Sequence, residues 1–168
     1  YGFAGKDSSA MEPRHNTDVN NLRLEAALHT KFSDKSRGYI KTYFYQSERG
    51  LPGATIYYNL TNFSTQRIWD NTFFTQAHYR HELSRKWEIQ ANAKYNRGYL
   101  RYLEPVVLNS DGKTENTYVQ NERYGSVSTL FRAFENISFS ASSDVSGNTL
   151  DAGGSGFTSP SRLSWLTV

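Results

Sequence analysis

The chain has 168 residues, 19 Lys and Arg against 16 Asp and Glu for a formal charge of +3, no cysteine, and 37% hydrophobic but 15% aromatic residues. That length holds one ordinary domain, not two. The aromatic content excludes a disordered chain, and the lack of any apolar run of about 18 residues excludes a helical membrane span. A chain without cysteine has no disulfide scaffold, thiolate metal site or cysteine nucleophile, and its scattered basic residues do not favour a nucleic-acid partner.

After a lead-in over residues 1–20, apolar and polar residues alternate with period two, the pattern of a strand with one greasy and one wet face. From Asn21 to Phe32, Leu22, Leu24, Ala26, Leu28, Thr30 and Phe32 share one face, with Arg23, Glu25, Ala27, His29 and Lys31 on the other. Tyr39–Gln46 reads as a strand by its aromatic and Thr content, although its facing is ambiguous. Asn71–Leu83 sets Phe73, Thr75, Ala77, Tyr79 and Leu83 against Thr72, Gln76, His78, Arg80 and Glu82, with Phe74 and His81 as exceptions. Trp87, Ile89, Ala91, Ala93 and Tyr95 alternate cleanly with Glu88, Gln90, Asn92, Lys94 and Asn96. Tyr124–Ala133 is a further strand, and Ile137–Val145 opposes Ile137, Phe139, Ala141, Ser143 and Val145 to Ser138, Ser140, Ser142 and Asp144. The stretch from Leu163 to Val168 reads as a seventh strand still running, as expected of a fragment.

The links alternate in length. Ser33–Gly38, Ser84–Lys86 and Phe134–Asn136 are turn-like, whereas about Ser47–Asp70, Gly98–Glu122 and Gly147–Arg162 are long. In an antiparallel meander this collects the tight turns at one end. Strands of roughly 10 to 13 residues with short turns and long loops fit a transmembrane outer-membrane β-barrel, whose tilted strands of about 9 to 11 residues cross the hydrocarbon. The ionic face then lines the lumen, the greasy face meets outer-membrane lipid, residues 1–20 form an outer loop and 21–168 the strands. Phe32, Tyr39, Trp87 and Phe134 are expected at the inner membrane boundary. Six to seven strands cannot close such a barrel, so the chain is expected to supply part of one. Two alternatives are a small complete barrel with an adhesive or structural role and a soluble β-domain that binds carbohydrate.

Several short stretches carry a family resemblance: Arg14-His15-Asn16-Thr17-Asp18-Val19, Ser47-Glu48-Arg49-Gly50-Leu51-Pro52-Gly53-Ala54, Gln66-Arg67-Ile68-Trp69-Asp70, Gln90-Ala91-Asn92-Ala93-Lys94-Tyr95-Asn96 and Asn148-Thr149-Leu150-Asp151-Ala152. With the strand texture around them, they resemble the barrel region of TonB-dependent outer-membrane receptors of the Bacteroidetes type. The resemblance implies a bacterial outer-membrane location, a barrel of about 22 strands around a plug domain, and uptake of a scarce nutrient with energy relayed by TonB. Cobalamin or an iron chelate is the favoured small ligand, with glycans behind. Plug and TonB contacts would be supplied by other sequence, and the family carries out transport without catalysis or a cofactor.

The link from Ser47 to Asp70 is the candidate ligand-contact region, because loops over a lumen are where a receptor grips its substrate. Arg49, Tyr57, Tyr58, Asn59, Arg67 and Trp69 supply charge, amide and stacking surfaces there. Other motifs point to less. His78 and His81 lie three apart and so on opposite faces of a strand, unlike a metal-ligand pair, and His15 and His29 lie elsewhere. Gly153-Gly154-Ser155-Gly156 lacks the strand-to-helix setting of a phosphate loop, and Asp144, Asn148 and Asp151 lack calcium-loop spacing. His78 with Ser128 or Ser140 has no nucleophile-elbow context, so no enzyme is expected.

Overall fold

The computed structural model describes residues 2–4, 11–13, 15–52, 64–107, 110–153 and 161–167. All its regular structure is β. Strands β1 (Gly2–Ala4) and β2 (Met11–Pro13) form a small ribbon, and seven others form one sheet: β3 (Val19–Ser33), β4 (Ser36–Gly50), β5 (Arg67–Glu82), β6 (Trp87–Glu104), β7 (Thr114–Phe134), β8 (Ile137–Gly153) and β9 (Ser161–Thr167). Their spatial order is their sequence order and every pairing is antiparallel, so the sheet is an open meander.

The tight turns gather at one end. Asp34 and Lys35 join β3 to β4, Leu83 to Lys86 join β5 to β6, and Glu135 and Asn136 join β7 to β8. Side-chain hydroxyls stabilise two of them. Ser33 Oγ accepts from the Lys35 amide, and Ser84 Oγ accepts from the amides of Lys86 and Trp87. Neighbouring turns are also stitched together, with the Glu82 amide donating to the Lys35 carbonyl and the Arg132 amide to that of Lys86, each at 2.8 Å.

At the opposite end the strands run further than alternation indicates. Gly98–Glu104, Thr114–Glu122 and Gly147–Gly153 belong to β6, β7 and β8 rather than to loops, and Ser47–Gly50 and Arg67–Asp70 belong to β4 and β5. Alternation fades there because aromatic and apolar residues occupy both faces, as in Tyr99-Leu100-Arg101-Tyr102-Leu103. Backbone pairing continues regardless.

Register sorts the side chains. Leu24, Phe44, Phe73, Leu28, Ile40, Ala77, Ala93, Ala91 and Val127 share one face, reached by stepping through directly opposed pairs from strand to strand. The ambiguity of β4 resolves the same way: Ile40, Thr42 and Phe44 join the apolar face, while Tyr39, Lys41, Tyr43 and Tyr45 join the polar one. Both exceptions in β5 acquire partners. Phe74, on the polar face, lies under the Lys94 ammonium (5.9 Å to the ring centre), and His81, on the apolar face, places Nδ1 3.1 Å from Ser36 Oγ. Tyr39 departs from the expected aromatic boundary, since it lies between His29 and His78 on the polar face, stacked on the latter. Its place near the turns is taken by Tyr79 and Phe131, which contact Phe32 and Trp87 edge-on.

No hydrophobic side chain is buried among the described residues. Of the seventeen large hydrophobics left exposed among the described residues, most lie on the one face, with Leu28 and Phe32 each 65% exposed and Phe139 62%. The sheet is a single layer without a core of its own. Packing on the apolar face is tight at Gly38, where a Cβ would come within 2.7 Å of the His78 carbonyl oxygen and 3.4 Å of the Phe32 ring. Gly38→Ala should therefore destabilise the sheet by about 1–3 kcal/mol, read as a lower urea midpoint in detergent. Gly98→Ala, with no heavy atom within 4 Å of the added carbon, should leave the midpoint unchanged.

Candidate functional site

The expected ligand residues that the structure describes, Arg49, Arg67 and Trp69, are split between the two faces of the sheet. Arg49, near the end of β4, lies on the polar face opposite Val19 and Ile68. Arg67 and Trp69 lie on the other face, in register with Gly50 and Glu48. Tyr57, Tyr58 and Asn59 fall outside the described residues.

Arg67 and Trp69 are each claimed by neighbours. The Arg67 guanidinium contacts Asp18 at 2.7 Å and Glu48 at 2.9 Å. Its hydrogen bond and charge hold the Asp18 carboxyl below the ordinary aspartate range, and Asp18 in turn raises Arg67. Trp69 lies under the guanidinium of Arg101, 4.6 Å from the ring centre, and Arg101 contacts Glu115 at 2.7 Å. Hydrogen bonds from Lys113 and then Arg101 lower Glu115. Asn16, in a left-handed conformation (φ 56°), donates to the carbonyls of Leu51 and Gln66 and ties the lead-in to the end of β4 and start of β5. A Cβ on Gly50 would collide with the Asn16 side chain. Arg67, Trp69 and Asn16 thus brace the long-link end of the sheet.

The recess at this end is on the polar face and uses other residues. Asp70, Gly98, Leu100, Tyr118, Gln120 and Leu150 border a concavity of about 260 Å³. Register places Asp70, Leu100 and Tyr118 in one row across β5, β6 and β7, with Gly98, Gln120 and Leu150 in the row below. Gly98 leaves the floor open because no side chain rises from it. Directly across from Asp70 stands Ser47, only 2% exposed, whose hydroxyl has no hydrogen-bond partner among the described residues. Arg49 and Tyr45 flank Ser47 on the same face of β4. Apolar walls with a few convergent polar groups are what a small-molecule site requires.

The sequence held a signal for this recess. Leu100, Tyr102, Tyr118 and Leu150 interrupt an otherwise ionic and amide-rich face, but assigning Gly98–Glu122 to a loop hid the interruption. Lower down, that face carries charge networks: Lys41 with Glu25 at 2.6 Å, Arg80 with Glu88 at 2.6 Å, and Lys94 with Glu122 at 3.2 Å. His78 Nδ1 lies 2.7 Å from Asn92 Oδ1, while His81 faces the other way toward Ser36.

Asp18 supplies a pH test. A carboxyl lowered by folding contributes stability above the ordinary aspartate range, and that contribution is lost as pH falls through that range to the depressed folded value. Amide protection at Gly50, whose N–H donates to the Asp18 carbonyl, should weaken over this acid window after correction for intrinsic exchange. Asp18→Asn should abolish the dependence. Hydrogen exchange read by mass spectrometry would check it.

No protein-family model matches the chain, and no curated protein sequence matches it.

Proposed function

We propose that the chain is a section of an outer-membrane receptor barrel of the TonB-dependent type, with its apolar face against lipid and its polar face toward a lumen through which a scarce nutrient passes. The observation that carries this reading is the pairing of a continuous apolar band with the absence of any buried hydrophobic side chain among the described residues. A soluble domain covers such a face with a second layer. Lipid covers it equally well, and fully burying a Leu or Phe side chain is worth about 1.5–3 kcal/mol.

The band has the dimensions for this. On β6 it runs from Trp87 to Tyr95, roughly 27 Å along the strand at about 3.4 Å per residue. A tilt of about 40° shortens it to roughly 20 Å, close to the apolar girdle of outer-membrane barrels at about 25 Å. Phe32, Tyr79, Trp87 and Phe131 border it at the tight-turn end. Phe73 and Tyr95, with ring centres 6.3 Å apart, border it at the other, where Arg97 and Arg123 stand directly opposite them. Aromatic rings favour such boundaries, and long cationic side chains there extend their charge into the headgroups. Beyond the band the sheet stands clear of the membrane, and the recess over Gly98 opens on the lumen side.

In this reading the recess and the adjoining links take the nutrient. Cobalamin or an iron chelate is favoured by the family resemblance, with glycans behind, and a plug domain and TonB act from other sequence. The competing reading is a soluble β-domain whose apolar face is covered by protein.

Nitroxide labels distinguish the two. In bilayers, labels at Leu24, Ala91 and Phe139 should be accessible to oxygen and shielded from a water-soluble nickel chelate, with the reverse at Arg23, Asn92 and Ser140. Labels on the apolar set that report tight protein packing would overturn the membrane assignment. Gly98→Trp, which fills the recess, should lower growth on the limiting nutrient at least tenfold while leaving the amount of receptor in the outer membrane unchanged.

A further inference from the structure

Near the tight turns, the polar face carries three cations side by side. Lys31 on β3 stands directly opposite Arg37 on β4, and Arg37 directly opposite Arg80 on β5. Like charges opposed across strands destabilise a sheet unless an anion compensates them. Two of the three are compensated: Lys31 Nζ lies 2.5 Å from Asp34, and Arg80 contacts Glu88 at 2.6 Å and Glu82 at 3.4 Å. Arg37, between them, is exposed and has no ion pair among the described residues, and Arg80 Nε is buried without a hydrogen-bond partner. The nearby carboxylates Asp34, Glu82 and Glu88 are therefore spent on the flanking cations, with Glu88 also 3.7 Å from Arg132.

Against this row lies a recess of about 450 Å³ bordered by His29, Lys31, Arg37, Tyr39 and His78. Tyr39 lies between the two histidines, tilted against His29 and stacked on His78, with ring centres 5.3 and 5.4 Å away. The recess combines an uncommitted guanidinium with a wall of flat rings, and it is separate from the concavity over Gly98.

We propose that this recess binds the carboxylates of an acidic polypeptide segment packed against the polar face at its tight-turn end. A guanidinium fork matches a carboxylate bidentately, and the rings accommodate the methylenes that carry it. A carboxylate-bearing segment meets the one uncommitted guanidinium of Arg37 and lays its neighbouring atoms along the His29, Tyr39 and His78 rings, whereas a free small anion meets the guanidinium alone. The inference rests on the barrel reading only in taking this face as one that other polypeptide covers, and the binding itself needs no membrane.

The test uses the full chain in detergent micelles and a fluorescein-labelled peptide of alternating Asp and Gly, compared with its Asn counterpart. The Asp peptide should bind at least tenfold more tightly at low salt, with the difference shrinking as salt rises. Arg37→Gln should remove about tenfold of that affinity, while Arg97→Gln on the opposite face leaves it unchanged. Because Arg37 sits between like charges, Arg37→Gln should also raise the urea midpoint of the peptide-free chain, so weaker binding by the variant is not a folding defect. Equal affinity for the Asn peptide, or no effect of Arg37→Gln, overturns the proposal. Inorganic phosphate binding as tightly as the peptide makes this a small-anion site and overturns the polypeptide occupant. A protein that fails the nitroxide test can still pass this one, so the two readings fail separately.

Discussion

A single antiparallel layer with opposite solvent preferences on its two faces governs the rest of this molecule. Backbone pairing holds the layer together but buries no hydrophobic side chain among the described residues, since each strand pairs only with its neighbours edge to edge. Most of the hydrophobic contribution to stability must therefore come from whatever covers the apolar face. The polar face faces a related demand, since ions such as Glu25, Lys41, Glu88 and Arg80 need either water or one another. Their lateral networks supply the second, and the exposed pairs among them, such as Lys41 with Glu25, contribute modestly, about 0–1 kcal/mol each. They set charge register more than they supply stability.

Strand identity was legible in the sequence wherever the two faces differ sharply. Leu22 to Phe32 alternates except at Ala27, Trp87 to Tyr95 alternates without a break, and both segments are strands with the expected facing. The tight turns were equally legible because Ser, Asp, Lys and Asn cluster there with few apolar residues. Facing in β4 was not, because Tyr39, Tyr43 and Tyr45 carry a ring and a hydroxyl and suit either environment. Only pairing with β3 and β5 settles it.

The long-link end was the least legible, for a physical reason. Period-two patterning arises from contrast between faces, and beyond Asn96 that contrast disappears as Tyr99, Leu100, Tyr102 and Leu103 fill both. The recess lies in this stretch, so the residues that form it were read as loop. Arg67 and Trp69 are ligand-contact candidates by their charge and stacking surface, but their parity along β5 sends them away from Arg49 and into contacts with Asp18, Glu48 and Arg101. Charge and aromaticity identify sticky residues, and only register says on which side they act. The cationic row was hidden likewise, since Lys31, Arg37 and Arg80 are scattered in the chain and become neighbours through two pairings.

The nearest-neighbour order of the meander has a consequence for how such a protein can grow and change. Every strand pairing in the main sheet joins strands consecutive along the chain, so each hairpin is a nearly self-contained module whose loss or duplication disturbs mainly the seams on either side. Evolution could thus alter the width of such a sheet two strands at a time, leaving the alternation of the remaining hairpins intact.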